Sequence, residues 1–212
     1  MRIPVSIWFA RLGAALALVV LAIALPGCGR DVPRLPPLGG DAIVLAFGDS
    51  LTYGTGAEAS SSYPAALERK IGRKVASAGV PGEVSARGLA RLPGVLDQIR
   101  PQLLILCHGG NDLLRSLDEA ALAGNLRAMV RVARDRGVPV MLVAVPKPGL
   151  FPSAHPVYTS VAKELGLPIE EKALAEILTD NELKSDPIHP NARGYERLAE
   201  RVAELLKEAR AL

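Results

Sequence analysis

The sequence is poor in aromatic residues, poor in cysteine and nearly balanced in charge, and each shortage removes a class of function. Aromatics make up 4% of the 212 residues, too few for the stacking platforms that bind single-stranded nucleic acid. The formal net charge is +3, and two of those charges, Arg2 and Arg11, lie in an N-terminal stretch that holds no acid. No basic stripe or block follows them, so nucleic acid is not an expected partner. Only two cysteines occur, Cys28 and Cys107, which rules out a disulfide framework. No Cys/His/Asp cluster has metal-site spacing, Cys107-His108-x-x-x-Asp112 included. Neither G-x-G-x-x-G nor a P-loop is present. The expectation is a chain with no metal and no nucleotide cofactor. Long apolar runs are also missing: Leu12 to Leu25 spans 14 residues, short for a membrane span.

Hydrophobic residues, at 49%, are plentiful, and charged residues make up 22%. A chain of this length and composition builds one packed α/β-sized domain without staples. The N-terminus reads as an address. Arg2 and Arg11 precede the apolar run, as in a signal peptide. Leu25-Pro26-Gly27-Cys28 then resembles a bacterial lipobox, whose cysteine becomes the lipidated first residue after cleavage. A cut after Ala22-Ile23-Ala24 would instead release a soluble exported protein, and an uncleaved anchor is the third reading. All three place the domain outside the cytoplasm. The expected division is a signal peptide over 1–27, a Pro/Gly tether over 28–40 and the domain over 41–212. With Cys28 acylated, Cys107 reads as a small buried core residue; a Cys28–Cys107 disulfide would need the rival processing.

From residue 41 short apolar runs alternate with amphipathic segments. Strands are expected at Ile43 to Phe47, Arg73 to Ser77, Leu103 to Cys107, Val138 to Val145 and Pro168 to Glu170. Helices are expected at Ser62 to Ile71, at Val84 to Ile99 with a kink or break at Pro93, and from a capping box at Ser116-Leu-Asp-Glu119 to Arg136. Further helices are expected at His155 to Leu165, Lys172 to Leu178 and Asn191 to Ala209. This alternation implies a three-layer α/β/α sandwich on a five-stranded parallel sheet, order 2-1-3-4-5. Function in such sheets collects beyond the carboxyl ends of the strands.

Three short segments carry chemistry. Strand 1 runs into Gly48-Asp49-Ser50, a turn that projects a serine hydroxyl from the sheet edge. Because Thr52 replaces the second glycine of G-x-S-x-G, it is not the nucleophile elbow of α/β-hydrolases. Strand 3 runs into Gly109-Gly110-Asn111-Asp112, where an asparagine amide can donate to a developing oxyanion. Asp186-Pro187-Ile188-His189 sets an acid three residues before a histidine, where it can orient the imidazole. Each alone also reads as an ordinary capped turn. His108 reads as a satisfied structural histidine beside the Asn loop, and the Lys147–Pro156 loop containing His155 as a shaper of the substrate pocket.

Together, and in this order, the segments resemble the SGNH (GDSL) hydrolases, over roughly residues 42–206. Gly88-Leu89-Ala90-Arg91-Leu92-Pro93 looks like the periplasmic thioesterase/lysophospholipase/arylesterase subgroup. The resemblance implies Ser50 as nucleophile, His189 as base and Asp186 as its partner, with Ser50, Gly82 and Asn111 forming the oxyanion hole. Counting back from the Gly88–Pro93 segment favours Gly82 over Gly79 as the glycine donor. Relatives often carry asparagine where this chain has Ser77. The implied activity is hydrolysis of esters or thioesters with short to medium acyl chains. Lysophospholipase and polysaccharide O-deacetylase are the alternatives, and a non-catalytic envelope binding protein is the contrasting class. The implied partners are a small-molecule or lipid ester and, through Cys28, a membrane; the domain needs no second copy.

Overall fold

A computed structural model describes residues 32–147 and 153–212. The expected signal peptide and Cys28 lie outside the described residues, as do residues 148–152 within the expected pocket loop. Five strands form one parallel sheet: β1 (Ile43–Gly48), β2 (Lys74–Gly79), β3 (Leu103–Cys107), β4 (Val140–Val143) and β5 (Ile169–Glu170). Their spatial order is β2-β1-β3-β4-β5, as the β-α alternation implies. The helices are α1 (Ser50–Tyr53), α2 (Tyr63–Ile71), α3 (Ser85–Ile99), α4 (Gly110–Leu114) and α5 (Glu119–Arg134), followed by α6 (Pro156–Leu165), α7 (Ala173–Thr179) and α8 (Ala192–Glu208). One group packs α2 and α7 against α8; the other packs α3 and α6 against α5.

Central strands β1 and β3 are buried along almost their whole length. Continuous apolar runs suit strands covered on both faces. Edge strand β2 instead mixes buried and exposed positions. Register fixes where the chemistry emerges: Gly48, at the end of β1, lies opposite Gly79 of β2 and Cys107 of β3. The loops carrying Ser50, Gly82 and Asn111 therefore leave the same edge side by side.

The structure revises several expectations. The Pro/Gly segment is not a free tether over its second half. Leu35 and Leu38 are each 8% exposed and join the core, and their N–H groups donate to the Ala209 and Ala211 carbonyls at 2.8 and 2.9 Å. Burial of two leucines contributes roughly 3–6 kcal/mol as an upper estimate. Starting the chain at Asp41 should therefore lower Tm by about 10 °C, measured by thermal melting against a chain starting at Val32; equal melting temperatures would refute it. Ser116 does not open α5, because it adopts φ +52° while its N–H closes the turn onto Leu113. Asp118 is the cap, accepting from the Ala120 N–H at 2.8 Å, and α5 ends at Arg134. Helix α3 runs through Pro93 without a break. Strand β4 is shorter than the apolar run Val138 to Val145. Gly79 is the last residue of β2 rather than a loop residue.

Candidate active site

Ser50 is the first residue of α1, directly beyond the carboxyl end of β1. Asp49 caps this short helix, its Oδ1 accepting from the Leu51 N–H at 3.1 Å. Its other oxygen is buried without a well-formed hydrogen bond among the described residues. Burial pushes the Asp49 carboxyl up from its ordinary value; His108, the Leu51 and Gly110 amides and His189 offset that only in part. Being a first-turn amide, the Ser50 N–H has no partner within its helix.

His189 reaches Ser50 from a loop 139 residues along the chain, and its Nε2 lies 3.0 Å from the Ser50 Oγ. Its Nδ1 lies 2.7 Å from the Asp186 Oδ2. An ionised carboxylate only accepts, so Nδ1 carries the proton and Nε2 is left to accept from the serine hydroxyl. Asp186 Oδ1 in turn accepts the Ile188 and His189 N–H groups at 2.8 and 2.9 Å. Burial opposes its charge, but the His189 ring and these amides outweigh it and hold the Asp186 carboxyl below its ordinary value. The loop is tied at its base, where the Ser185 N–H donates to the His189 carbonyl at 2.9 Å. Gly56 gives it room, since a Cβ there would stand 2.1 Å from the Ser185 Oγ.

Gly79 ends β2 and Gly82 lies in the loop beyond it, and each is a glycine for a different reason. A Cβ on Gly79 would stand 2.1 Å from the Tyr53 backbone nitrogen, so Gly79 lets α1 lie against β2. Ser77 supports the same contact, its Oγ donating to the Thr52 carbonyl at 3.3 Å. Gly82, with φ +76°, is the third residue of the turn Val80-Pro81-Gly82-Glu83, closed by the Glu83 N–H on the Val80 carbonyl at 3.2 Å. Proline second and glycine third suit a type II turn. The Gly82 N–H has no backbone acceptor among the described residues. Asn111, in the first turn of α4, donates from Nδ2 to the Glu83 carbonyl at 3.1 Å, and its second amide hydrogen has no partner among the described residues.

Ser50, Asn111 and His189 line one cleft of about 240 Å³. Its apolar wall includes Leu114, Val145, Leu178 and Ile188, with Lys147 and Lys184 beside them. The profile of the GDSL-like lipase/acylhydrolase family matches residues 46–197. The chain belongs to this family. It is 32% identical over 180 residues to esterase TesA of Pseudomonas aeruginosa, covering 77% of this chain and 87% of that one. It is 30% identical over 172 residues to thioesterase 1/protease 1/lysophospholipase L1 of Escherichia coli K12, covering 77% and 83%. A crystal structure of TesA superposes with TM-score 0.72 at 30% identity, covering 79% of this chain and 99% of that one. AlinE4, an SGNH-hydrolase family esterase, gives 0.63 at 32%, covering 81% and 98%. The chain is thus an ester-bond hydrolase of this family.

Other residues fall outside the cleft or support it. His155 caps α6, accepting from the Val157 N–H at 3.4 Å, with Nε2 3.2 Å from Glu119. Cys107 is buried at the end of β3, and burial pushes its thiol well up. His108 is fully buried, its Nδ1 accepting the Gly109 N–H at 2.9 Å. Asp112 was legible only as a generic cap, yet it ties two loops together: its carboxylate accepts the Ser85 N–H at 2.8 Å and the Ser85 hydroxyl at 2.5 Å. Sequence reasoning missed Glu83 and Arg91 as members of the site's scaffold. The Pro81-Gly82 pair was the local signal that would have placed the Gly82 turn.

Proposed function

We propose that this family hydrolase is a serine esterase that cleaves carboxylic esters and thioesters through Ser50, His189 and Asp186. The observation that carries the reading is the unbroken hydrogen-bonded line from Asp186 through His189 to Ser50, ending in a cleft with an apolar wall. His189 Nε2 takes the Ser50 proton as Oγ attacks the carbonyl. The oxyanion is met by the N–H groups of Ser50 and Gly82 and by the free hydrogen of the Asn111 amide. His189 then gives its proton to the departing alcohol or thiol. Water, activated by the same imidazole, releases the acid from the acyl-enzyme. Gly82 is preferred to Gly79 because packing against α1 already accounts for Gly79, whereas the Gly82 loop touches Asn111 through Glu83.

The cleft's volume fits short to medium acyl chains. Lys147 and Lys184 beside the apolar wall favour a second reading, lysophospholipase, in which one of them meets a headgroup phosphate. The signal-like N-terminus and Cys28 support an exported, lipid-anchored enzyme. The test is fluorophosphonate labelling of the full-length protein in detergent, followed by kcat/KM over p-nitrophenyl esters of rising chain length and over a lysophosphatidyl ester. A folded protein that neither labels nor turns over would leave the binding-protein reading. Asn111→Ala should lower kcat by roughly 10²–10³, the usual loss for one oxyanion donor, in steady-state kinetics on the best ester. A loss of tenfold or less would remove Asn111 from that role.

A further inference from the structure

Next to the loops of Gly82 and Asn111 lies a buried polar cluster that the reaction above does not use. Arg91 on α3 grips Glu83 with two prongs, Nε to Oε1 at 3.1 Å and Nη2 to Oε2 at 2.7 Å. The third member is His108, whose Nε2 lies 3.1 Å from the Glu83 Oε2. Its Nδ1 accepts the Gly109 N–H, so Nε2 carries the ring proton and donates to the carboxylate. The side chains of His108 and Glu83 are 0% and 8% exposed. Arg91 also lies 4.1 Å over the Phe47 ring of β1 and donates from Nη2 to the Ala78 carbonyl of β2 at 3.1 Å. Helix α3 is notched for the histidine: a Cβ on Gly88 would stand 2.2 Å from the His108 Nε2.

Burying such groups is costly, and an apolar cluster of equal volume stabilises as well or better. The fold places these groups where each is joined to a segment that carries Ser50, Gly82 or Asn111. Glu83 follows Gly82, and its carbonyl accepts the Asn111 amide. His108 begins the loop that carries Asn111, and the Tyr158 hydroxyl pins its carbonyl at 2.9 Å. Arg91 binds the ends of β1 and β2, close before Ser50. We infer that Glu83, clamped by Arg91 and His108, is a positioning residue that fixes the Gly82 and Asn111 donors relative to Ser50. It touches no substrate; it acts through the two donors, and a misplacement of about 1 Å in such groups costs up to roughly 10² in rate. The inference rests on the acyl-transfer reading of the cleft.

The test is a double-mutant cycle on the full-length protein, using Glu83→Gln, Asn111→Ala and both together, with kcat expressed per fluorophosphonate-titrated Ser50. That normalisation counts only folded sites. Glu83→Gln alone should lower kcat about tenfold with KM within about twofold, because the amide keeps one acceptor oxygen and sets its NH₂ against a donor, the Arg91 Nε–H or the His108 Nε2–H. In the Asn111→Ala background its further cost should shrink to less than about threefold, since the one of its two donors that it holds by a direct hydrogen bond is gone. A full tenfold cost in both backgrounds would overturn the proposal, and so would an unchanged kcat per titrated site with only Tm lowered. If Glu83→Gln yields no folded protein, Arg91→Lys carries the same cycle, keeping the charge but losing the two-pronged grip. Asn111→Ala with undiminished kcat would be a different failure: it would remove the oxyanion reading itself, and the positioning role with it.

Discussion

Ser50→Ala should abolish ester turnover while leaving the protein folded. The expected loss in kcat is about 10⁴-fold or more, because removing the nucleophile leaves only the oxyanion donors and substrate binding to assist water. Folding should survive for local reasons. The cap of α1 is Asp49 and not Ser50, alanine is the best helix former, and among the described residues the hydroxyl hydrogen-bonds only to His189. His189 loses that partner but stays fixed through Nδ1 on Asp186, and its Nε2 faces the open cleft, where water replaces the hydroxyl. Steady-state kinetics, fluorophosphonate labelling and thermal melting should be compared between the two proteins. A Ser50→Ala protein retaining more than about a tenth of the activity, or labelled as fast as the parent, would sink the assignment.

Much of this architecture could be read from local pattern because the informative residues are local. The apolar runs of β1 and β3 announce central parallel strands, and the order 2-1-3-4-5 follows from how such units cross over. Once that order holds, Gly48 opposite Gly79 and Cys107 brings Ser50, Gly82 and Asn111 to one edge. What could not be read depends on contacts distant in sequence. Leu35 and Leu38 look like tether residues until their partners, Ala209 and Ala211, are known. Ser116 fits a capping box by spacing, but α4's last turn takes its N–H and hands the cap to Asp118. His108 reads as a satisfied core histidine, and it is one; that its partner is Glu83, beside Gly82, appears only when loops 25 residues apart come together. Local spacing finds groups that touch substrate. It misses those that hold them, because a buried clamp has no sequence period.

Asp186→Asn should cost about 10³–10⁴ in kcat, with the serine and histidine untouched. The reason is a count of donors and acceptors. Asp186 accepts three hydrogen bonds, one from His189 Nδ1 on Oδ2 and two from the Ile188 and His189 amides on Oδ1. Asparagine brings one acceptor oxygen and one NH₂ donor. If its oxygen faces the two amides, the NH₂ meets Nδ1, and the imidazole must move its proton to Nε2, where it can no longer take the Ser50 proton. If the oxygen faces Nδ1 instead, the NH₂ meets two backbone donors and the loop must open. Neither rotamer serves both. The wild-type carboxylate is also held below its ordinary value, so its share of loop stability is present above the unfolded carboxylate range and is lost only as pH falls through the lower folded value. Acidification to pH ~5 therefore leaves Asp186 charged and does not mimic the substitution. The side chain is 44% exposed, so a water could take part of its place, and Asp186→Ala should be the milder change: it removes the orienting charge without inserting a misplaced donor. Kinetics on both variants at pH 8 decide the matter. Asp186→Asn losing less than tenfold, or less than Asp186→Ala, would show that the carboxylate does not set the His189 tautomer.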